Sequence, residues 1–279
     1  MRPLAIGIAR RQFISTLGGV VAWPLAARAQ QSPQAPVSIS PDTINAFAPT
    51  GRLRVAINAG NFVLVQKDAG GAVKGVAVDL AEELAHRLGL PADLIIYETA
   101  GKVTDAAKAA AWDICFLAIE PVRAALIDFT APYVIIEGTY LVDIHSSLKS
   151  VTDVDHDGIR IAVARGSAYD LYLSRTLQHA TLIRYPSPPL ALKGFLNDKL
   201  DAAAGVRQFL DDYARNNPNV MVMSDHFQEI REAMGIVRGR GDTKNYLHRF
   251  VEEMKASGFV RASLDRAHQS AALIAPPEN

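Results

Sequence analysis

Residues 112–133, WDICFLAIEPVRAALIDFTAPY, decide the fold. Ile114 to Ala118 is a short unbroken apolar run, the length and texture of a buried strand. Pro121 then opens a helix at the position where its missing N–H costs nothing, Arg123 falls in that helix's first turn, and a second apolar segment begins at Asp128-Phe129-Thr130-Ala131-Pro132-Tyr133. A strand that hands over directly to a helix start predicts an open α/β sheet. In such sheets small molecules sit beyond the carboxyl ends of the strands, where loop and helix amides are unpaired. An arginine at that place favours an anion, because its planar, permanently charged fork pairs with a carboxylate through two parallel hydrogen bonds. The other reading of Arg123, a solvated residue at an ordinary helix start, stays open on the local pattern.

Outward from this stretch, strands and helices alternate. Arg52 to Asn58 alternates apolar and polar positions as a first strand, and Lys67 to Gly71 has the Asp and Gly content of a turn. Residues 78–90, VDLAEELAHRLGL, place Leu80, Leu84 and Leu88 on one helical face, with Asp79 and Glu82 as the expected cap and Gly89 with Pro91 as the stop. His86 on this helix has no second ligand type one turn away and reads as a surface residue. Leu94 to Tyr97 reads as a strand, Val103 to Ala111 as a short helix, and Tyr133 to Ile144 as an extended run leaving the first domain. A second repeat follows: strand Arg160 to Ala164, the Gly166-Ser167 turn, a helix through Gln178, strand Thr181 to Tyr185, helix Leu190 to Leu196, strand Ala202 to Ala204 and a helix from Gln208 to Arg215. After a strand at Asn219 to Met223, Met234 to Arg238 is expected to return to the first domain, and helices at Lys244 to Ala256 and Gly258 to His268 complete the chain. Alternation of this kind predicts parallel-rich sheets with helices on both faces.

Composition narrows the function. The 279 residues carry a formal net charge of zero, which removes the broad basic face that nucleic acid or an anionic membrane would need. A single cysteine, Cys115, sits inside the apolar run, so neither an intrachain disulfide nor a cysteine metal cluster is available, and the thiol is expected to act as a small core hydrophobe. At the amino end, Arg10-Arg11 precedes Phe13-Ile14, a short apolar run and Ala27-Arg28-Ala29. A positive region, a short apolar region and an A-x-A site specify an export signal over residues 1–29, cleaved after Ala29. The arginine pair resembles a twin-arginine signal, and the Sec route satisfies the same pattern. Residues 30–50, rich in Pro, Ser and Gln, are expected to form a flexible leader.

Several motifs are incomplete. Asp153, Asp155, Asp157 and Gly158 match the first half of a calcium loop, but its twelfth position falls on Ala164, so a turn is expected. Ser146-Ser147-Leu148-Lys149 has the S-x-x-K spacing without S-D-N or K-T-G partners, and Gly239-Arg240-Gly241 lacks the following helix signature of a phosphate cradle. No cofactor, metal site or catalytic constellation is expected.

The order of residues 75–89 (GVAVDLAEELAHRLG), Trp112-Asp113-Ile114, residues 120–123 (EPVR), 128–133 (DFTAPY), 158–167 (GIRIAVARGS) and 201–205 (DAAAG) resembles the family 3 extracellular solute-binding proteins, the polar amino-acid-binding components of ABC importers. The resemblance covers nearly all of the chain after the leader. It implies a type II periplasmic-binding-protein fold: two α/β lobes joined by two hinge strands, with the ligand in the cleft between them. Lobe 1 is then residues 51–142 and 233–279, and lobe 2 residues 143–232. It also implies a periplasmic, monomeric, non-enzymatic receptor that delivers a small carboxylate-bearing solute, an amino acid or related organic acid, to an inner-membrane ABC permease.

Matched residue by residue, the resemblance implies that Arg123 would grip the ligand carboxylate, Ser167 would hold it through its hydroxyl and amide, and the backbone amide of Ala118 would donate to it. Leu117, Ala168 and Tyr169 neighbour these positions. The sequence departs from the family at Val206, which stands where an aspartate commonly receives the ligand's ammonium and is followed by Arg207. Asn61 stands where an aromatic often covers the ligand, and Phe116 where a small hydroxyl residue often sits. These departures favour a carboxylate without a free α-amine, and a dicarboxylate if Arg207 points inward; a solvated Arg207 is the other reading. Glu120 either replaces the lost anion or simply favours the helix dipole. The alternative function is a periplasmic enzyme on the same scaffold, similar to cyclohexadienyl dehydratases, with Glu120 or Asp170 as the general acid.

Overall fold

The computed structural model describes residues 39–278 apart from Asp242; the export signal and its cleavage point lie outside the described residues. Part of the expected leader is helical. Helix α1 (Pro41–Phe47) is capped by Ser40, whose side chain accepts from the Thr43 amide, and starts on Pro41. Phe47 is fully buried with its ring edge-on to Tyr246, so residues 41–47 belong to the packed fold.

Strand β1 (Leu53–Asn58) leads through a small hairpin, β2 (Gln66–Lys67) and β3 (Val73–Lys74), into α2 (Val76–Leu88). The three leucines of α2 are buried, each contributing about 1.5–3 kcal/mol to stability relative to an exposed position. Its N-cap is Gly75 rather than Asp79, whose carboxylate instead accepts from Ser263 and Arg266. Then follow β4 (Ala92–Tyr97), α3 (Ala100–Ala107), β5 (Ile114–Ala118) and the single turn α4 (Pro121–Ala124). Helix α3 starts three residues before the expected Val103 because Thr99 caps it, accepting from the Lys102 amide. The long strand β6 (Ile127–Asp143) begins before Tyr133, and the second repeat runs β7 (Arg160–Ala164), α5 (Ala168–Thr176), β8 (Thr181–Tyr185), α6 (Pro188–Asn197), β9 (Ala202–Val206) and α7 (Arg207–Arg215). Last come β10 (Val220–Val222), β11 (Gln228–Val237), α8 (Thr243–Ala256), α9 (Phe259–Arg266) and β12 (Leu273–Ile274).

The main sheet has the order β4-β1-β5-β11-β6-β9-β7-β8. At one end β1 pairs parallel with β4 and β5; at the other β7 pairs parallel with β8 and β9. Between them the long strands β6 and β11 run antiparallel to each other, and each borders one of the parallel groups: β11 pairs with β5, β6 with β9. Two α/β units are thereby joined through two crossing strands, the arrangement of type II periplasmic binding proteins. Strand β11 begins at Gln228, earlier than the expected Met234, because Gln228 to Glu232 pair with the far part of β6. The β6–β11 register shifts on either side of Ala233. Extra residues on β6 near Pro132, which has no N–H to give the ladder, bend the pair there.

The aspartates at 153–157 form a turn. Asp155 accepts from the backbone amides of Gln178, His179 and Ala180, and Asp153 from those of Lys149 and Ser150. Cys115 is a buried free thiol, and burial raises it above the usual thiol range.

Candidate functional site

Every residue of β5 is buried, and the strand ends at Ala118 just before α4 carries Arg123 into the interior. Arg123 is 1% exposed. Its Nη1 donates to the Ala118 carbonyl and its Nη2 to the Gly166 carbonyl, both at 2.9 Å, while Nε is buried without a partner. Neither acceptor is a carboxylate. Burial pushes the guanidinium below its usual range, and the negative charges of Glu232 and Glu120 oppose that shift. A buried cation held only by two neutral carbonyls has N–H groups left for an anion.

Gly166 belongs to the turn between β7 and α5, so this one side chain ties the two α/β units together. The turn admits only glycine: Gly166 has φ of 71°, and a Cβ on it would lie 2.9 Å from the Gly101 Cα. Ser167 caps α5, its hydroxyl oxygen accepting from the Asp170 amide at 3.1 Å. The Ser167 amide donates to the Ala164 carbonyl, so of the two groups expected to hold an anion here the hydroxyl proton is the one left free. At Ala118 the geometry differs. Ile119 donates to the Arg231 carbonyl across β5 and β11; by the alternation of an antiparallel ladder, Ala118 turns its own N–H and C=O away from β11.

These groups line one pocket, with about 480 Å³ of empty space counting the part open to solvent. Arg123, Ala118, Leu117 and Asn61 line it together with Ser167, Ala168, Tyr169 and Val206. Phe116 and Arg207 stand apart, against expectation. Phe116 packs edge-on against Tyr133 within the core, since alternation along β5 turns it away from Leu117. Arg207 pairs with Glu137 and donates to the carbonyls of Met223, Ser224 and Asp225, so it neither points into the pocket nor lies free in solvent. Glu120 is engaged by Arg175 at 2.5 Å and Gln228 at 2.8 Å, and Asp170 by Arg184 and the Gly166 amide; neither lines the pocket.

The pocket wall also holds Glu232, 5% exposed, which sequence reasoning passed over. Its Oε1 accepts from Asn61 Nδ2 at 3.0 Å. Burial pushes its carboxyl up to about 7, against the lowering influence of Arg123 and the Asn61 bond. The signal was present: along β11 the buried positions Ile230 and Glu232 alternate with exposed Glu229 and Arg231, so the strand period alone turns Glu232 inward.

Residues 53–268 match the family model described as "Bacterial extracellular solute-binding proteins, family 3". The chain belongs to this family. Among curated relatives, the L-cystine-binding protein TcyJ of Escherichia coli (strain K12) is 24% identical over 194 residues, 69% of this chain and 73% of that protein. Among solved structures, a cysteine-binding protein from Campylobacter jejuni superposes with a TM-score of 0.70 at 17% identity, covering 81% of this chain and 92% of that one. AbpA from Streptococcus pneumoniae, an amino acid ABC transporter substrate-binding protein bound to L-arginine, gives 0.69 at 19% identity, over 81% and 98%. An ancestral amino acid-binding protein described as a precursor of cyclohexadienyl dehydratase gives 0.66 at 23% identity, over 81% and 97%. The structural likenesses establish the type II fold of this family 3 member.

Proposed function

We propose that this protein is the exported substrate-binding component of an ABC importer. It closes lobe 1 (residues 51–142 and 233–279) and lobe 2 (residues 143–232) on a small carboxylate-bearing solute, an amino acid or related organic acid. As a periplasmic monomer it presents the closed form to an inner-membrane permease. The observation that carries this reading is Arg123: a fully buried guanidinium in the pocket wall, with no carboxylate bonded to it, that reaches from β5–α4 to the carbonyl of the β7–α5 turn. The Ser167 hydroxyl and the amide of Ala118 supply neutral donors to the same anion. Because these groups lie on different units, the site is complete only when the units approach, and a ligand that bridges them shifts the open–closed equilibrium toward closure.

Calorimetric titration of wild type and Arg123→Ala with amino acids, keto acids and dicarboxylates tests this reading. Binding by wild type and its loss in the variant are expected; equal affinity in both would remove the site.

One observation favours a second reading, an enzyme on the same scaffold. Glu232, buried in the pocket with its carboxyl at about 7, is a competent proton donor near neutral pH, and it replaces Glu120 and Asp170 in that role. Prephenate turnover by wild type and not by Glu232→Gln would establish it; the absence of turnover alongside tight binding decides for the receptor.

A further inference from the structure

Glu232 is the one carboxylate among the described residues that line the pocket, and a site for a plain carboxylate gives it no task. We infer that Glu232 and the side-chain oxygen of Asn61 together seat an ammonium group, so that the solute is a zwitterion with an amine as well as a carboxylate. This rests on the binding reading above and deepens it. It also relocates the cation subsite from Val206, which is apolar, to the crossing strand β11.

The geometry supplies two opposite poles. Glu232 pairs across the sheet with Ala118, and the carbonyl of Ala118 accepts from Arg123 Nη1, so carboxylate and guanidinium flank the same backbone residue. They nevertheless form no ion pair: Arg123 donates to backbone carbonyls, and Glu232 accepts from a neutral amide. Opposite charges buried in one wall and kept apart match a ligand that is itself dipolar. The β6–β11 irregularity begins at Glu232, and a local bend of this kind re-aims a side chain out of the regular ladder.

Asn61 completes the acceptor set. An ionised carboxylate accepts only, so the amide nitrogen of Asn61 faces Glu232 and its Oδ1 is left buried with no partner. An ammonium brings three donors, enough for Glu232 and Asn61 Oδ1 together. The other charged or titratable groups around Glu232 are Arg123 from α4, Arg165 from the β7–α5 turn, Tyr133 of β6 and Cys115 of β5. Arg231 on its own strand is paired with Glu278 on the exposed side. Tyr133 and Cys115 are neutral at physiological pH, because burial raises both, so Arg123 and the Asn61 bond are what favour the ionised form of Glu232. A zwitterion matches this balance better than a second anion.

Proton linkage gives the test a sign. With its carboxyl at about 7, Glu232 is mostly protonated at pH 6. An ammonium selects the ionised form, so its binding at pH 6 expels about one proton, and affinity climbs about tenfold per pH unit up to about pH 7. A ligand that sets an anion against Glu232 selects the protonated form: it takes up protons near pH 7 and weakens above that.

The experiment is calorimetry of the exported chain at pH 6, in two buffers of different ionisation enthalpy, against the L-amino acids and L-cystine. The tightest of these is then compared with its analogue lacking the amine. The expected result is release of about one proton and on the order of 100-fold weaker binding of the analogue. Glu232→Gln should weaken the amino acid by a similar factor, abolish proton release and leave the analogue's affinity unchanged. Asn61→Leu, a variant that keeps the carboxylate, should weaken the amino acid about tenfold with proton release retained. An analogue that binds equally well, proton uptake, or a Glu232→Gln protein that behaves as wild type overturns the inference. If amine-free carboxylates bind as tightly as the corresponding amino acids and Arg123→Ala abolishes that binding, the inference falls while the receptor reading stands. If no carboxylate binds at all, both fall.

Discussion

Replacing Glu232 by glutamine in the ligand-free protein isolates the cost of burying one carboxylate. Glutamine keeps the shape and can still accept from Asn61, so the change removes the charge and little else. The carboxyl sits at about 7 in the folded chain against an ordinary 4.5, with burial as the leading cause. A folded-state value above the unfolded one means that the native protein holds the proton more tightly. Its stabilising contribution is complete below about pH 4.5, declines as pH rises, and is gone above about 7. At about 1.4 kcal/mol per pH unit, the full loss is about 3 kcal/mol. For a chain of this size that corresponds to roughly 5–10 °C in melting temperature. Thermal unfolding of both proteins between pH 4 and 8 should therefore give curves that lie close together at the acid end and separate towards pH 8, with the glutamine variant the more stable. Parallel profiles over that range would refute the burial argument, because they would show that Glu232 titrates alike in the folded and unfolded chains.

Two further substitutions probe the frame of the site. Gly166→Ala places a side chain at a φ of 71° and against the Gly101 Cα. A loss of about 2 kcal/mol in stability is expected, together with weaker ligand binding as the turn moves off Arg123, read by chemical denaturation and calorimetry. Arg207→Ala removes the bonds to Glu137 and to three backbone carbonyls and should cost about 2–3 kcal/mol of stability with ligand affinity unchanged. A change in ligand selectivity in that variant would place Arg207 back in the site.

Local signals placed much of the pocket because it is built at the ends of regular elements. A continuous apolar run followed by Pro121 marks β5 and α4 and hence the start from which Arg123 projects; a glycine followed by a capping serine marks the β7–α5 turn. These are short-range preferences, set by backbone geometry within a few residues. Asn61, Tyr169 and Val206 were reached through resemblance, which preserves position along the chain but carries no information about direction. Arg207 and Phe116 went astray for that reason. Each lies next to a pocket residue in sequence, and each faces the other way.

By itself, then, the sequence determined the alternation of elements, the α/β class, the order of the two repeats and the helix start that carries Arg123, since all of these follow from periodicity and capping. Tertiary structure alone decided which polar groups are already partnered. The Ser167 amide is held by Ala164, Glu120 by Arg175 and Gln228, and Arg207 by Glu137 and the carbonyls of residues 223–225. It also decided that Glu232, 109 positions beyond Arg123 in number, shares a pocket with it. The physical reason is that hydrogen-bond satisfaction and desolvation depend on neighbours brought together by sheet pairing, and the β5–β11 register that sets Glu232 beside Ala118 is written in no local stretch of the chain.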